Sequence, residues 1–450
     1  MKLFARATLA LGVAACGSIA PGLAACGSSD QRVSDGIADH SAPTPIAATP
    51  SPDPTPVGAP LKPEPKPAPG VVAAPTAAPD PAAIALAKPY NDFGFDLWRE
   101  LAADAGGNLA LSPASLSLAF SMTYAGARGS TADDMKKVLH LGAVADPHTA
   151  AGLAIARWNG EGKPYALRIA NRLFGEATAP FETPFLDRMK AAYGAPLEPV
   201  DFEHSFDAAR RHINDWVADR TEDKIRDLLP DGSLDELTRL VLVNAIYFKG
   251  QWAARFDAAQ TKDGAFHAAA GDVKVPFMHR SGSMLTGGGE LAQVVELPYV
   301  GGDLAMDLVL PKGDLKSLAG LDADGLAALV GTLYENEEVE LALPRFRIET
   351  PAMPLKQPLL KLGMGKAFDH DADFSGMSSL RPLFIDDAFH KVFVEVNEEG
   401  TEAAAATAVV MATESARIPL ELRFDRPFMF FIRDVKTGHV LFMGRVVNPA

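Results

Sequence analysis

The sequence predicts an α+β fold, with helical patterns early and strands late. Three observations carry this: helix-period apolar runs between Tyr90 and Thr123, a series of strand-like runs from residue 240 onward, and no regular βα alternation or internal repeat. With 450 residues, 48% of them hydrophobic, the chain can bury a sizeable core.

The first patterned segment is "YNDFGFDLWRELA", where Phe93, Leu97 and Leu101 recur at i+4 beside Trp98. That spacing is an amphipathic helix. In "NLALSPASLSLAFSMTYAGA", Ser112 is placed to cap a helix whose first turn holds Pro113, and Leu116, Phe120 and Thr123 follow along one side. This second helix is apolar nearly all round, so it belongs in the core. "LVLVNAIYF" (240–248) is a continuous apolar run, as expected for a strand buried on both faces. "AMDLVLP", "VELALPRFRIE", "FVEVNEEG", "RPFMFFIRD" and "HVLFMGRVV" read as further strands, the last two joined by "VKTG" as a hairpin.

Ahead of these elements lie two segments of other character. Residues 1–25 carry Lys2 and Arg6, then an apolar stretch, then small residues, which is the layout of a bacterial secretory leader. Both cysteines of the chain fall here, in "VAAC" and "LAAC", each matching a lipoprotein cleavage box. Cys26 is the expected lipidated residue, because a cut at Cys16 would leave another apolar segment behind. Residues 26–87 are dominated by proline and alanine, a composition that builds a semi-rigid spacer and no core. The expected location is the bacterial cell envelope, lipid-anchored at the outer membrane, cell surface or periplasm, or else secreted, with a mild preference for the outer membrane.

The net charge of −15 comes with no basic block, which argues against nucleic acid as a partner and leaves the lipid anchor as the one expected membrane contact. No disulfide or thiolate metal site is open to the region beyond residue 26, which has no cysteine. The ten histidines are scattered without metal-ligand spacing, so no metal and no cofactor is expected. Searches for G-x-S-x-G, G-K-[ST], H-E-x-x-H and S-x-x-K find nothing, and catalytic residues are expected to be absent.

The main anomaly is residues 398–413, "EEGTEAAAATAVVMAT". A connection this long between strands is uncommon inside a domain and usually functional or disordered. Read as a latent strand, it puts Thr401, Ala403, Ala405, Thr407 and Val409 on one face. That face is uncharged, and its residues are small or β-branched, so it can slide into a sheet without overpacking the core beneath. An exposed alanine-rich helix is the competing reading.

These residues carry a family resemblance. "VEVNEEGTEAAAATAVV" resembles the reactive-loop hinge of serpins, and "LRFDRPFMFFIRDVKTGHVLFMGRVVNP" is similar to their C-terminal signature. "NLALSPASLSLAFSM", "LVNAIYFKGQW", "LPRFRIE", "LKLGMGKAF" with "ADFSGM", and "FHKVFVEVNEEGTEA" follow in the family's order across residues 88–450. The resemblance implies a serpin domain over that span: three β-sheets, about eight to nine helices and an exposed reactive-centre loop at about 398–419. It implies an irreversible suicide-substrate inhibitor of serine or cysteine proteases rather than an enzyme, with the target protease as covalent partner. The cleaved loop would insert as a new strand of the central sheet. The alternative is a non-inhibitory serpin-like binding protein of the cell surface.

By the same resemblance the hinge comprises Glu398, Glu399, Gly400, Thr401, Glu402, Ala403, Ala404, Ala405 and Ala406. Ser112, Ser115, Asn244 and His390 match the polar cluster where the sheet opens, and Trp252 matches a tryptophan near the loop's insertion point. Counting from the hinge places the scissile bond at Glu414–Ser415, whereas counting back from "RFDRPF" moves it toward Ala416–Arg417. Met411 or Ala412 would suit an elastase- or subtilisin-like enzyme, and Arg417 a trypsin-like one. The protein is expected to be a monomer, yet an insertable loop can also add to a neighbour's sheet. Mild heating should therefore yield linear polymers that a synthetic peptide of residues 401–412 blocks; amorphous aggregate alone would contradict this.

Overall fold

The computed structural model describes residues 5–15, 78–160, 162–401 and 418–450. Residues 402–417, with Glu402, Ala403 to Ala406, Met411, Ala412, Glu414, Ser415, Ala416 and Arg417, lie outside the described residues, as do Cys16 and Cys26.

Among the described residues there are eight α-helices: α1 (Pro81–Asp104), α2 (Pro113–Tyr124), α3 (Gly129–Val138), α4 (Pro147–Trp158), α5 (Thr183–Tyr193), α6 (Phe202–Arg220), α7 (Ala323–Val330) and α8 (Lys356–Leu362). The strands are β1 (Ala5–Ala15), β2 (Leu109–Leu111), β3 (Ala166–Glu176), β4 (Leu197–Val200), β5 (Thr238–Gln251), β6 (Lys262–Ala268), β7 (Gly271–Gly288), β8 (Ala292–Pro298) and β9 (Leu304–Pro311). They continue with β10 (Tyr334–Pro344), β11 (Phe346–Glu349), β12 (Met353–Pro354), β13 (Leu383–Val396), β14 (Gly400–Thr401), β15 (Leu420–Arg423), β16 (Phe428–Asp434) and β17 (Val440–Val446).

The central sheet runs β11-β13-β1-β5-β3-β4, with β12 on β13 and β14 on β5. The other nine strands are joined in one hydrogen-bonded network that the long strand β7 divides into two parts. Residues Gly271 to Phe277 of β7 pair with β6, Phe277 to Thr286 with β10, and its last residues, from Leu285, with β8. From there the order is β8-β9-β16-β17-β2. An α+β fold with three sheets and eight helices is what the sequence led us to expect.

Each predicted element has a local cause. Ser112 caps α2 as expected: its hydroxyl accepts the Ser115 N–H, and Pro113 occupies the first turn. Every residue from Pro113 to Thr123 is buried, which an all-round apolar helix requires. The run around residues 240–248 is the core of β5, and its side chains are all buried because helices cover one face of the sheet and the second layer covers the other. Gly438, at φ +82°, closes the β16–β17 turn in a conformation that a side chain would strain.

Two boundaries differ from the sequence reading. Helix α1 begins at Pro81, inside the span read as spacer, because Asp80 caps it and Ala83, Leu86 and Ala87 are already buried. Residues Ala5–Ala15, inside the span read as leader, form β1, paired in parallel with both β13 and β5. Since β1 is parallel to each, β5 and β13 are parallel to one another across it.

The core holds a buried ion pair. Arg157 donates to Asp434 at 2.6 and 3.1 Å, and Asp434 also accepts from Trp158. His439 is fully buried against the edge of the Trp158 ring; burial lowers its pKa to about 4 and keeps it neutral.

Candidate functional site

Two groups of sequence-predicted residues meet at the central sheet: a buried polar chain beneath it and the hinge at the C-terminal end of β13. The polar chain starts on β13. His390 Nε2 accepts the Ser112 N–H at 3.2 Å, and the Ser112 hydroxyl donates to the Leu441 carbonyl at 2.5 Å. Ser115 Oγ donates to Asn244 Oδ1 on β5, and Asn244 Nδ2 donates to Asn171 Oδ1 on β3 at 2.6 Å. Asn171 Nδ2 then reaches the Tyr193 carbonyl at the end of α5 at 2.8 Å.

Ser112, Ser115, Asn244 and His390 are wholly buried, so the sequence-predicted set is brought together in one place. The chain links β13, α2, β5 and β3 through single side-chain hydrogen bonds, each worth roughly 0.5–1.5 kcal/mol net. Such links tie α2 to β13 on one side and to β5 on the other, and breaking one leaves a buried polar group without its partner. Asn171 was not foreseen. An amide inside the alternating run "ALRIANRLF" was the available signal, because a buried Asn in a strand must find partners.

The hinge is built where β13 leaves the sheet. Trp252, buried, stacks on Tyr299 with ring centroids 4.6 Å apart, and its indole N–H donates to the Asn397 carbonyl at 3.0 Å. Glu399 and Glu398 offer their carbonyls to the N–H groups of Trp252 and Phe256 at 3.0 and 2.9 Å. The Glu398 carboxylate is gripped by Arg345, with contacts of 2.6 to 2.9 Å, and accepts from Thr261 Oγ1. Burial alone would raise its pKa, but the hydrogen bonds from Arg345 and Thr261 prevail and hold the carboxyl below its ordinary value.

Gly400 and Thr401 form β14, antiparallel to β5, opposite Gln251 and Gly250. Thr401 is fully buried, and its hydroxyl meets the Tyr299 hydroxyl at 3.0 Å. Gly400 has φ +136°, and a Cβ there would lie 2.2 Å from the Gly250 carbonyl oxygen. Only glycine fits this approach. The expectation of an exposed loop from about 398 is therefore corrected at its start: Glu398, Gly400 and Thr401 are already docked, because Arg345, Tyr299 and β5 offer partners there. At the other end Ile418 is 96% exposed before β15 begins. Arg345, Thr261 and Tyr299 were not singled out in the sequence, since each partner lies far from it along the chain.

Among the described residues no group of three or more His, Cys, Asp and Glu is placed to hold a metal ion, and no helix is long and apolar enough to cross a membrane.

Comparison with known proteins adds a relationship to this geometry. A sequence family described as serpin (serine protease inhibitor) matches residues 88–449. The chain is 41% identical over 375 residues to serpin B6 of Macaca fascicularis, covering 81% of this chain and 99% of that protein. It is 42% identical over 369 residues to the leukocyte elastase inhibitor of Sus scrofa, covering 79% and 97%. The crystal structure of human thyroxine-binding globulin superposes with a TM-score of 0.74 at 30% identity, covering 82% of this chain and all of that one.

The docked hinge is open to direct test. Gly400→Val should expel β14 from β5, costing about 0.5–3 kcal/mol of stability and changing the emission of the neighbouring Trp252. Acid should do the same through Glu398: its lowered pKa means the clamp is intact above the unfolded glutamate value of about 4.3 and is lost as pH falls through the folded value. Unchanged Trp252 emission in both cases would contradict this geometry.

Proposed function

Because the chain belongs to the serpin family, we propose that it is an irreversible suicide-substrate inhibitor of serine proteases, trapping the acyl-enzyme by inserting its cleaved loop into the central sheet. One observation carries the reading: Gly400 and Thr401 are paired on β5 in the antiparallel sense that an inserting loop needs. Beyond Glu402, residues Ala403 to Thr413 carry no charge and no proline. Nothing in their chemistry opposes entry into a sheet.

The chemistry belongs to the target. Its nucleophile attacks the scissile carbonyl, the C–N bond breaks to leave an acyl-enzyme, and the freed amine becomes the new amino terminus of the C-terminal segment, whose strands β15, β16 and β17 stay in the fold. The freed strand then zips along β5 from the docked hinge, moving the acylated residue away from the groups that would deacylate it. Removing those groups forfeits the oxyanion and general-base contributions to the second step. Glu414–Ser415 is the bond proposed for cleavage, with Met411, Ala412, Ala416 and Arg417 as alternatives, and lipidation at Cys26 would place the inhibitor on a bacterial envelope.

A non-inhibitory binding protein is the second reading, favoured by the likeness to thyroxine-binding globulin. Incubation with elastase-like, trypsin-like and glutamate-preferring serine proteases separates the two. The inhibitory reading expects a complex that survives denaturing electrophoresis and, for the glutamate-preferring enzyme, a released peptide beginning at Ser415. Thr401→Arg should cut the complex yield at least about tenfold while cleavage persists, because the guanidinium would have to be buried where the hydroxyl meets Tyr299. Nicking by every protease without any complex would sink the proposal.

A further inference from the structure

Strands β8, β9 and β16 carry three ionisable side chains into the core. Glu296 of β8 stands directly opposite Asp307 of β9, and Arg433 of β16 stands opposite Ala305, two residues along β9 and on the same face. Phe431, opposite Asp307, packs against Phe95 of α1, so this is the face that the helix covers. Asp307 is fully buried, and Glu296 and Arg433 are nearly so. The proposed inhibitory chemistry uses none of them.

Charge in this cluster does not balance. Arg433 donates to both carboxyls, to Asp307 Oδ2 at 2.6 Å through Nε and to Glu296 Oε2 through a second nitrogen. One guanidinium therefore serves two carboxyls, and Asp307 Oδ1 receives no donor. Like charges directly opposite on paired strands repel, and away from water the repulsion is costly. One proton removes the conflict. The Asp307 and Glu296 carboxyls also meet each other, and two carboxyls share a hydrogen bond only when one of them is protonated. Burial pushes the Asp307 carboxyl up, to about 7; Arg433 opposes the rise and Glu296 adds to it.

The other charged groups on the packed elements are engaged elsewhere. On α1, Lys88 pairs with Asp92 and with Asp324 of α7, Asp96 with Arg99 and His140, and Glu100 with Lys361 of α8. Arg445 of β17 donates to carbonyls near the end of α1. Beside the ends of β9 and β16, Asp303 is held by Lys163 and Lys436, and Asp434 by Arg157. Asp314 and Lys316, which follow β9, are exposed.

We propose that Glu296, Asp307 and Arg433 form a proton-held lock across β8, β9 and β16, closed in acid and released as the pH rises to neutrality. The assignment stands independently of loop insertion. Its sign follows from linkage: an unfolded aspartate loses its proton near about 3.9, and the folded one keeps it to higher pH. The lock contributes in full below the unfolded value and weakens by about tenfold in the folding constant per pH unit between the two. Its contribution is lost once the pH passes the folded value, where two carboxylates face one guanidinium and β16 is held less firmly. The Glu398 clamp has the opposite dependence, since acid opens it.

Infrared titration of the full chain tests the lock without any variant. The native protein should show a protonated-carboxyl C=O band at about pH 6 that disappears by about pH 9, and its absence would overturn the proposal. Asp307→Asn and Glu296→Gln should each abolish the lock's band, because Arg433 matches the one carboxylate that remains. Asp387 on β13 is also raised by burial, so the variants assign the signal. A band unchanged by both substitutions belongs elsewhere, and one lost with only one of them marks an isolated buried acid; either result overturns the lock. Urea unfolding gives a second readout. From about pH 5 to about pH 8, the unfolding constant of the unsubstituted chain should rise at least about tenfold relative to that of Asp307→Asn. A ratio that stays level or falls contradicts the proposal.

Discussion

The structure depends on one constraint: the backbone groups of the long parallel strands β5 and β13 must find partners in the central sheet. Two sets of side chains lie against these strands. Beneath them, Ser112 and Ser115 at the start of α2 reach His390 on one side and Asn244 on the other. At the end of β13, Trp252, Tyr299 and Arg345 hold Asn397, Thr401 and Glu398.

Energetics explain why the loop is rich in small residues. Ordering the backbone of an inserted strand costs about 1–2 kcal/mol per residue, and new hydrogen bonds return roughly 0.5–1.5 kcal/mol each. These terms come close to offsetting one another. The balance rests on burying apolar side chains over the core, and that contribution survives only if they fit without strain. Alanine, threonine and valine meet the condition; a charged or bulky residue at Thr401, wholly buried against Tyr299, does not.

Much of this was legible in the sequence because it follows from local pattern. The caps of α2, the burial of β5 and the turn at Gly438 each arise from a few neighbouring residues. The polar set Ser112, Ser115, Asn244 and His390 was reached through family resemblance, and the structure adds the bonds that join them. Asn171, Arg345 and Tyr299 escaped notice because their roles come from partners remote in the chain: Arg345 with Glu398, Tyr299 with Thr401. The docking of the hinge was also not legible. "EEGTE" reads as a polar, exposed segment until Arg345 and Thr261 are seen to neutralise and bind Glu398. Nor does local pattern distinguish a leader from a strand, since a short apolar run serves as either.

The central claim is that the fold gains a strand when the loop is cut. The most direct measurement is the thermal unfolding of the leader-free protein before and after cleavage within residues 402–417. Insertion of a new central strand should raise the midpoint by on the order of 20 °C. A midpoint that stays the same or falls would contradict the account.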